Sequence, residues 1–118
     1  MTIGILGGGV WGSALARVLS KNKVIIYARD ENIVKSINEH KINPKLKYSS
    51  FNENVTATTS LKEIRNVKFL FITLPAQNIR EVIRDSSLYN NNHHIVICSK
   101  GIEISSSKFL TDVFQEMM

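Results

Sequence analysis

A chain of 118 residues with 43% hydrophobic and 21% charged residues is long enough for one soluble domain with its own core, and no apolar run approaches the length that crosses a bilayer. The formal net charge of +5 suits a phosphorylated ligand, but the lysines are scattered and no base-reading module is recognisable, which argues against nucleic acid as a partner. Cys98 is the single cysteine, so an internal disulfide is excluded and a reducing, cytoplasmic setting is expected.

Taken in order, the chain alternates strand-like and helix-like segments. Thr2 to Leu6 is a short apolar run that stops at Gly7. Five glycines, a Trp and an Arg fall within the first twenty residues and no charged segment leads them, so this is a strand and not a targeting signal. Val10 to Lys21 has a helical period, predicting an inward face of Val10, Ala14, Leu15, Val18 and Leu19, with Asn22 suited to a left-handed helix end. Lys23 to Tyr27 carries Val24, Ile25 and Ile26 in a row, a strand buried on both faces. Glu31 to His40 is a second helix facing inward through Ile33, Val34 and Ile37, with Asp30 placed to cap it.

Residues 41 to 55 are polar, lysine-rich and the least regular stretch. Val55 to Thr59 is a short strand candidate, and Ser60 with Glu63 has capping-box spacing before a helical turn at Leu61 and Ile64. Val67 to Leu74 is the strongest strand signal, ended by Pro75, which cannot donate to a ladder. Gln77 to Leu88 returns as a helix, Asn90 to Asn92 form a polar loop, and Ile95 to Ser99 is another strand. Ser105 to Ser107 can cap a last helix running to the chain end. This alternation predicts an α/β fold, a doubly wound parallel sheet of order 3-2-1-4-5 spanning residues 1–118, without the sixth strand usual in such sheets.

Gly7-Gly8-Gly9-Val10-Trp11-Gly12 places G-x-G-x-x-G between a strand and a helix, where its mechanism requires it. Gly7 permits the tight turn, Gly9 lets a pyrophosphate approach the backbone, and Gly12 lets the helix lie close to the strand. The helix N-terminus offers N–H groups and partial positive charge to the phosphates. The competing explanation is a glycine turn used only for packing. At the end of the second strand stands Tyr27-Ala28-Arg29-Asp30. Arg29 suits the 2′-phosphate of NADP, whereas Asp30 serves either the ribose of NAD or the cap of the second helix. NADPH is favoured, with NADH kept open.

The turn with Ser13-Ala14-Leu15-Ala16, the Arg29-Asp30 strand end, Leu74-Pro75-Ala76 with Arg80-Glu81-Val82, and Ser99-Lys100-Gly101-Ile102-Glu103 together resemble the bacterial NAD(P)-dependent glycerol-3-phosphate dehydrogenases over essentially the whole chain. The resemblance implies a Rossmann domain, with Val10 and Trp11 along the pyrophosphate, Arg29 at the adenosine end, and Lys100 where cofactor and substrate phosphate meet. It implies reversible hydride transfer between NAD(P)H and dihydroxyacetone phosphate, giving sn-glycerol 3-phosphate for glycerophospholipid synthesis, in an intact protein compatible with a homodimer. It also implies that the general-base lysine and most substrate contacts lie in a second, helical domain beyond Met118, so no catalytic residue is assigned within this chain. On residue chemistry alone, a solvated loop lysine is the preferred reading of Lys100, and a cover for apolar surface competes for Trp11.

Departures from the family pattern are concentrated in Lys45-Leu46-Lys47-Tyr48-Ser49-Ser50-Phe51. The family's Tyr-Leu-Pro-x-x-x-Leu-Pro has neither proline here, so the resemblance carries no cofactor contact over to this loop, its role is left open, and Tyr48 is assigned none. No metal site is expected. His93 and His94 are adjacent and point to opposite faces of a strand, and His40 is explained as a helix-end cation. Two alternatives stand beside the enzyme: a truncated, non-catalytic dinucleotide-binding module, and another Rossmann dehydrogenase with a helical second domain. Trp11-Gly12 and Lys100-Gly101 count against the latter.

Overall fold

The computed structural model describes residues 2–46, 50–74, 94–97, 102–103 and 108–109. Five parallel strands form one sheet: β1 (Thr2–Leu6), β2 (Lys23–Tyr27), β3 (Val55–Thr58), β4 (Phe69–Ile72) and β5 (His94–Ile97). Their order is β3-β2-β1-β4-β5, as the alternation predicts. Ile3 lies beside Val24 on one side and Phe69 on the other, which puts β1 at the centre. β4 is shorter than its apolar run. The Thr73 N–H nevertheless continues the pairing by donating to Leu6 O at 2.9 Å.

The strands' period of two divides the core between the two faces. Ile3 and Ile5 of β1, with Val24 and Ile26 of β2, pack under helices α1 (Val10–Val18) and α2 (Glu31–His40). Leu6, Tyr27, Leu70 and Ile72 face the other way, against Leu61, Ile64 and Val67. The single turn of 3₁₀ helix at Leu61–Ile64 carries no side-chain cap, so the Ser60/Glu63 capping box is not made. Instead the Ser60 N–H donates to Thr58 Oγ1 at 3.0 Å, a local bond that a strand-end threonine offers more cheaply.

Helix α1 differs from its predicted face. It buries Gly12, Ser13 and Ala16 against the sheet, leaves Val10 and Val18 exposed, and keeps Leu15 and Leu19 half-buried at the margin. A helix seated on small residues lies close to the strands, and the contact line turns toward those residues and away from the larger apolar ones. Asn22 closes α1 by hydrogen bonding, its N–H and side-chain amide both donating to Leu19 O. The left-handed position belongs instead to Lys41, φ 57°, after α2. Helix α2 is as predicted at Ile33 and Ile37, and Asp30 accepts from the Asn32 N–H at 2.8 Å.

The irregular stretch after α2 is tied down by amides. Asn52 and Asn54 both donate to Ser20 O, Phe51 is buried, and Ile42 bridges Ser50. Along the outer side of β3, Asn38 donates to Ala57 O and accepts from Ala57 N–H. Lys41 Nζ donates to Val55 O, and the Val55 N–H donates to Asn52 O.

The expected last helix is corrected at its start. Ile102–Glu103 (β6) and Lys108–Phe109 (β7) are antiparallel partners, Ile102 opposite Phe109 and Glu103 opposite Lys108. Serine runs serve turns as readily as helix caps, and here Ser105 to Ser107 fall between two paired strands. The expected helix at 77–88 lies outside the described residues. Among the described residues no helix is long and apolar enough to cross a membrane.

Candidate functional site

The loop that leaves β1 is shaped by what its glycines exclude. Gly7 has φ 130°, a conformation L side chains rarely adopt, and a methyl group there would run into Thr73 Oγ1. A methyl at Gly12 would meet the Gly7 carbonyl oxygen, and one at Gly8 would lie 2.6 Å from Ala28 Cβ. Gly9 differs, because a Cβ there meets nothing within 4 Å. Three of these glycines let the protein close on itself, and the fourth faces open space.

That space is a cleft of about 380 Å³ at the carboxyl ends of β1, β2 and β4, the position where doubly wound sheets hold ligands. The glycine turn and the start of α1 form its floor. Ala28, Arg29 and Asp30 line the side at the end of β2, and Thr73 and Leu74 line the opposite side. Helix α1 begins at Gly9 with no side-chain cap and no acidic residue in its first turn. Its leading N–H groups and partial positive charge are therefore available to an anion. Trp11 stands at the mouth, 81% exposed, so it does not act as a cover for apolar core.

Gly7, Gly9, Val10, Trp11 and Arg29 thus come together in one cleft. Gly12 lies beneath the turn as the contact between helix and strand. Lys100 and Tyr48 lie outside the described residues. Asp30 has its carboxylate on the Asn32 N–H, which fits the capping role, and Arg29 lines the cleft beside it. Three residues of the site were not expected. Thr73 Oγ1 donates to Leu6 O at 3.0 Å and closes the turn from the β4 side. Lys45 lines the cleft, so the loop whose role the sequence left open contributes a cation. Asn43 is buried directly behind the turn. The only sequence signal for the last two was Asn43-Pro44, which marks a fixed turn within the polar stretch.

Among the described residues, no three His, Cys, Asp or Glu side chains come close enough to hold a metal ion. His40 approaches Glu39 at 4.0 Å on the surface, and His94 stacks on Phe69.

A family profile described as NAD-dependent glycerol-3-phosphate dehydrogenase N-terminus matches residues 2–118. The chain belongs to that family. The protein named glycerol-3-phosphate dehydrogenase (NAD(P)+) from Novosphingobium aromaticivorans is 33% identical over 117 residues, covering 97% of this chain and 35% of the relative. Its namesake from Zymomonas mobilis is 36% identical over 118 residues, covering 95% of this chain and 34% of the relative. In three dimensions, a crystal structure of glycerol-3-phosphate dehydrogenase from Coxiella burnetii superposes with a TM-score of 0.89 at 28% identity, over 98% of this chain and 37% of that one. The chain therefore spans about a third of the length of these glycerol-3-phosphate dehydrogenase relatives.

Proposed function

We propose that this chain is the dinucleotide-binding part of an enzyme that transfers hydride between NAD(P)H and dihydroxyacetone phosphate, forming sn-glycerol 3-phosphate for glycerophospholipid synthesis in the cytoplasm. The observation that carries this reading is the uncapped N-terminus of α1 opening at Gly9 onto a cleft that Arg29 also lines, in a chain of this family. The groups present fit such a cofactor. Gly7 and Gly9 admit the pyrophosphate, the leading N–H groups at Val10, Trp11 and Gly12 hold it, and Arg29 receives a 2′-phosphate by charge-assisted hydrogen bonds. When bound, the nicotinamide supplies the hydride chemistry, while the protein supplies position and electrostatics. Lys100 meets the phosphates of cofactor and substrate. The general-base lysine and most substrate contacts belong to a helical domain in the part of the relatives that this chain does not match.

The test is oxidation of NADPH and NADH by the intact protein, dependent on dihydroxyacetone phosphate, in wild type and Arg29→Ala. A charge-assisted bond contributes about 1.5–3 kcal/mol, so Arg29→Ala should raise KM for NADPH roughly 10–100-fold and leave that for NADH unchanged. No substrate-dependent oxidation with either cofactor refutes the activity. Oxidation with an unchanged NADPH-to-NADH ratio in the variant refutes the role of Arg29. Residues 1–118 alone should be inactive, since loss of a general acid by itself costs about 10²–10⁴-fold.

A further inference from the structure

Behind the glycine turn lies a polar side chain that the reading above leaves unused. Asn43 is fully buried, in the loop between α2 and β3, 30 and 35 residues along the chain from its two side-chain amide partners. Its Nδ2 donates to the Gly8 carbonyl oxygen at 2.8 Å and to Ser13 Oγ at 2.6 Å. Its Oδ1 accepts from the Lys45 N–H at 3.0 Å. One amide thus joins the phosphate-binding turn, the first turns of α1, and the backbone of a residue that lines the cleft.

Packing alone does not require an amide here. An apolar side chain of similar volume would fill the space but would leave the Gly8 carbonyl, Ser13 Oγ and Lys45 N–H without the bonds they now make, and a buried amide is itself tolerated only when it is bonded. What the amide adds is direction. A trans peptide is planar, with its C=O and N–H antiparallel. Holding the Gly8 carbonyl against Asn43 therefore fixes the Gly9 N–H pointing away from it. Gly9 is the position where a Cβ would meet only open space. Neither Gly8 nor Gly9 has a side chain to restrict that peptide, and it is the Asn43 amide that holds its carbonyl.

We propose that Asn43 is a positioning residue for the pyrophosphate of the cofactor: by anchoring the Gly8 carbonyl it sets the Gly8–Gly9 peptide in its phosphate-receiving orientation before the ligand arrives. This inference rests on the dinucleotide reading of the cleft. A turn set in advance loses less freedom on binding, and the gain is confined to ligands that carry the pyrophosphate.

The experiment compares NADH, which carries the pyrophosphate, with adenosine, which carries no phosphate. Dissociation constants are measured by titration for NADH and by ligand-observed NMR for adenosine, together with the thermal midpoint of each protein. Asn43→Asp keeps the volume and an acceptor for the Lys45 N–H but removes the donor to Gly8. Asn43→Ser is too short to reach and introduces no buried charge, so it carries the comparison if the aspartate variant does not fold. Ser13→Ala removes the other partner and leaves the Gly8 bond in place. The expected result is a loss of roughly tenfold in NADH affinity for the Asn43 variants, adenosine affinity unchanged, and NADH affinity retained in Ser13→Ala. Equal losses for NADH and adenosine, tracking the fall in thermal midpoint, would make Asn43 merely structural and overturn the proposal. Unchanged NADH affinity in the Asn43 variants overturns it too, while a wild type that binds NADH no better than adenosine overturns the dinucleotide reading itself.

Discussion

Helices α1 and α2 leave the same end of the sheet and cover the same face, yet their N-termini are built on opposite rules. α2 starts at Asp30, whose carboxylate takes the Asn32 N–H, and carries Glu31 in its first turn. Its own side chains answer the helix dipole. α1 starts at Gly9, with no cap and no acid, and opens on the cleft. Their undersides differ as well: α2 is held off the strands by Ile33 and Ile37, whereas α1 rests on Gly12, Ser13 and Ala16. At α2 the chain follows the stability rules for a helix start, and at α1, where we propose that an anion is held, it leaves them unmet. In the dinucleotide reading proposed above, the uncapped start of α1 is part of the site.

The most severe way to break this contrast is Gly12→Ala. The added methyl meets the Gly7 carbonyl oxygen, so α1 must lift from the sheet and the turn must move with it. Overpacking of this kind costs about 1–3 kcal/mol, and chemical denaturation should show a loss at the upper end together with lost cofactor binding. Next comes Gly9→Asp, which gives α1 the cap that α2 already has. Gly9 has φ −83° and ψ −169°, an extended conformation that any residue adopts, and its Cβ meets nothing. Stability should therefore hold or rise by a few tenths of a kcal/mol, while NADH affinity measured by titration should fall by roughly 100-fold or more as a carboxylate occupies the anion site. A stable Gly9→Asp protein with wild-type affinity would remove the α1 terminus from the site. The smallest effect belongs to Asp30→Ala. Loss of the α2 cap should cost about 0.5–2 kcal/mol in thermal or chemical denaturation, with NADH affinity unchanged. A marked loss of NADH binding there would assign Asp30 to the ribose after all.

The sheet and the turn were legible because their signals are local and apolar. Val24-Ile25-Ile26, the run from Val67 to Leu74, and glycines at 7, 9 and 12 state their own context, and the strand order follows from the alternation. The face of α1 was misread because periodicity weighs large hydrophobic residues, while the contact is made by residues chosen for lack of size. A last helix capped by Ser105 to Ser107 was expected, and the pairing of Lys108–Phe109 with Ile102–Glu103 makes its first residues a strand instead. Asn43 was readable only as half of the Asn43-Pro44 turn signal. A buried amide in a polar, lysine-rich stretch looks like any solvated loop residue until the fold carries it to Gly8. Arg29 could be singled out from sequence because it follows directly on an apolar strand, whereas Lys45 sits on a loop whose course is set by the Asn43 anchor together with bonds at Ile42 and Phe51.

The outer side of β3 has one further consequence. A bare strand edge templates aggregation because successive N–H and C=O groups are free to recruit another chain. In β3 the groups that point outward at Val55 and Ala57 are already engaged, by Asn52, Lys41 Nζ and both ends of the Asn38 amide. An incoming strand would have to displace three side-chain hydrogen bonds before forming its own. That side of the sheet is protected from runaway polymerisation by polar side chains drawn from the adjoining helix and its capping lysine, without a proline, a bulge or a covering strand.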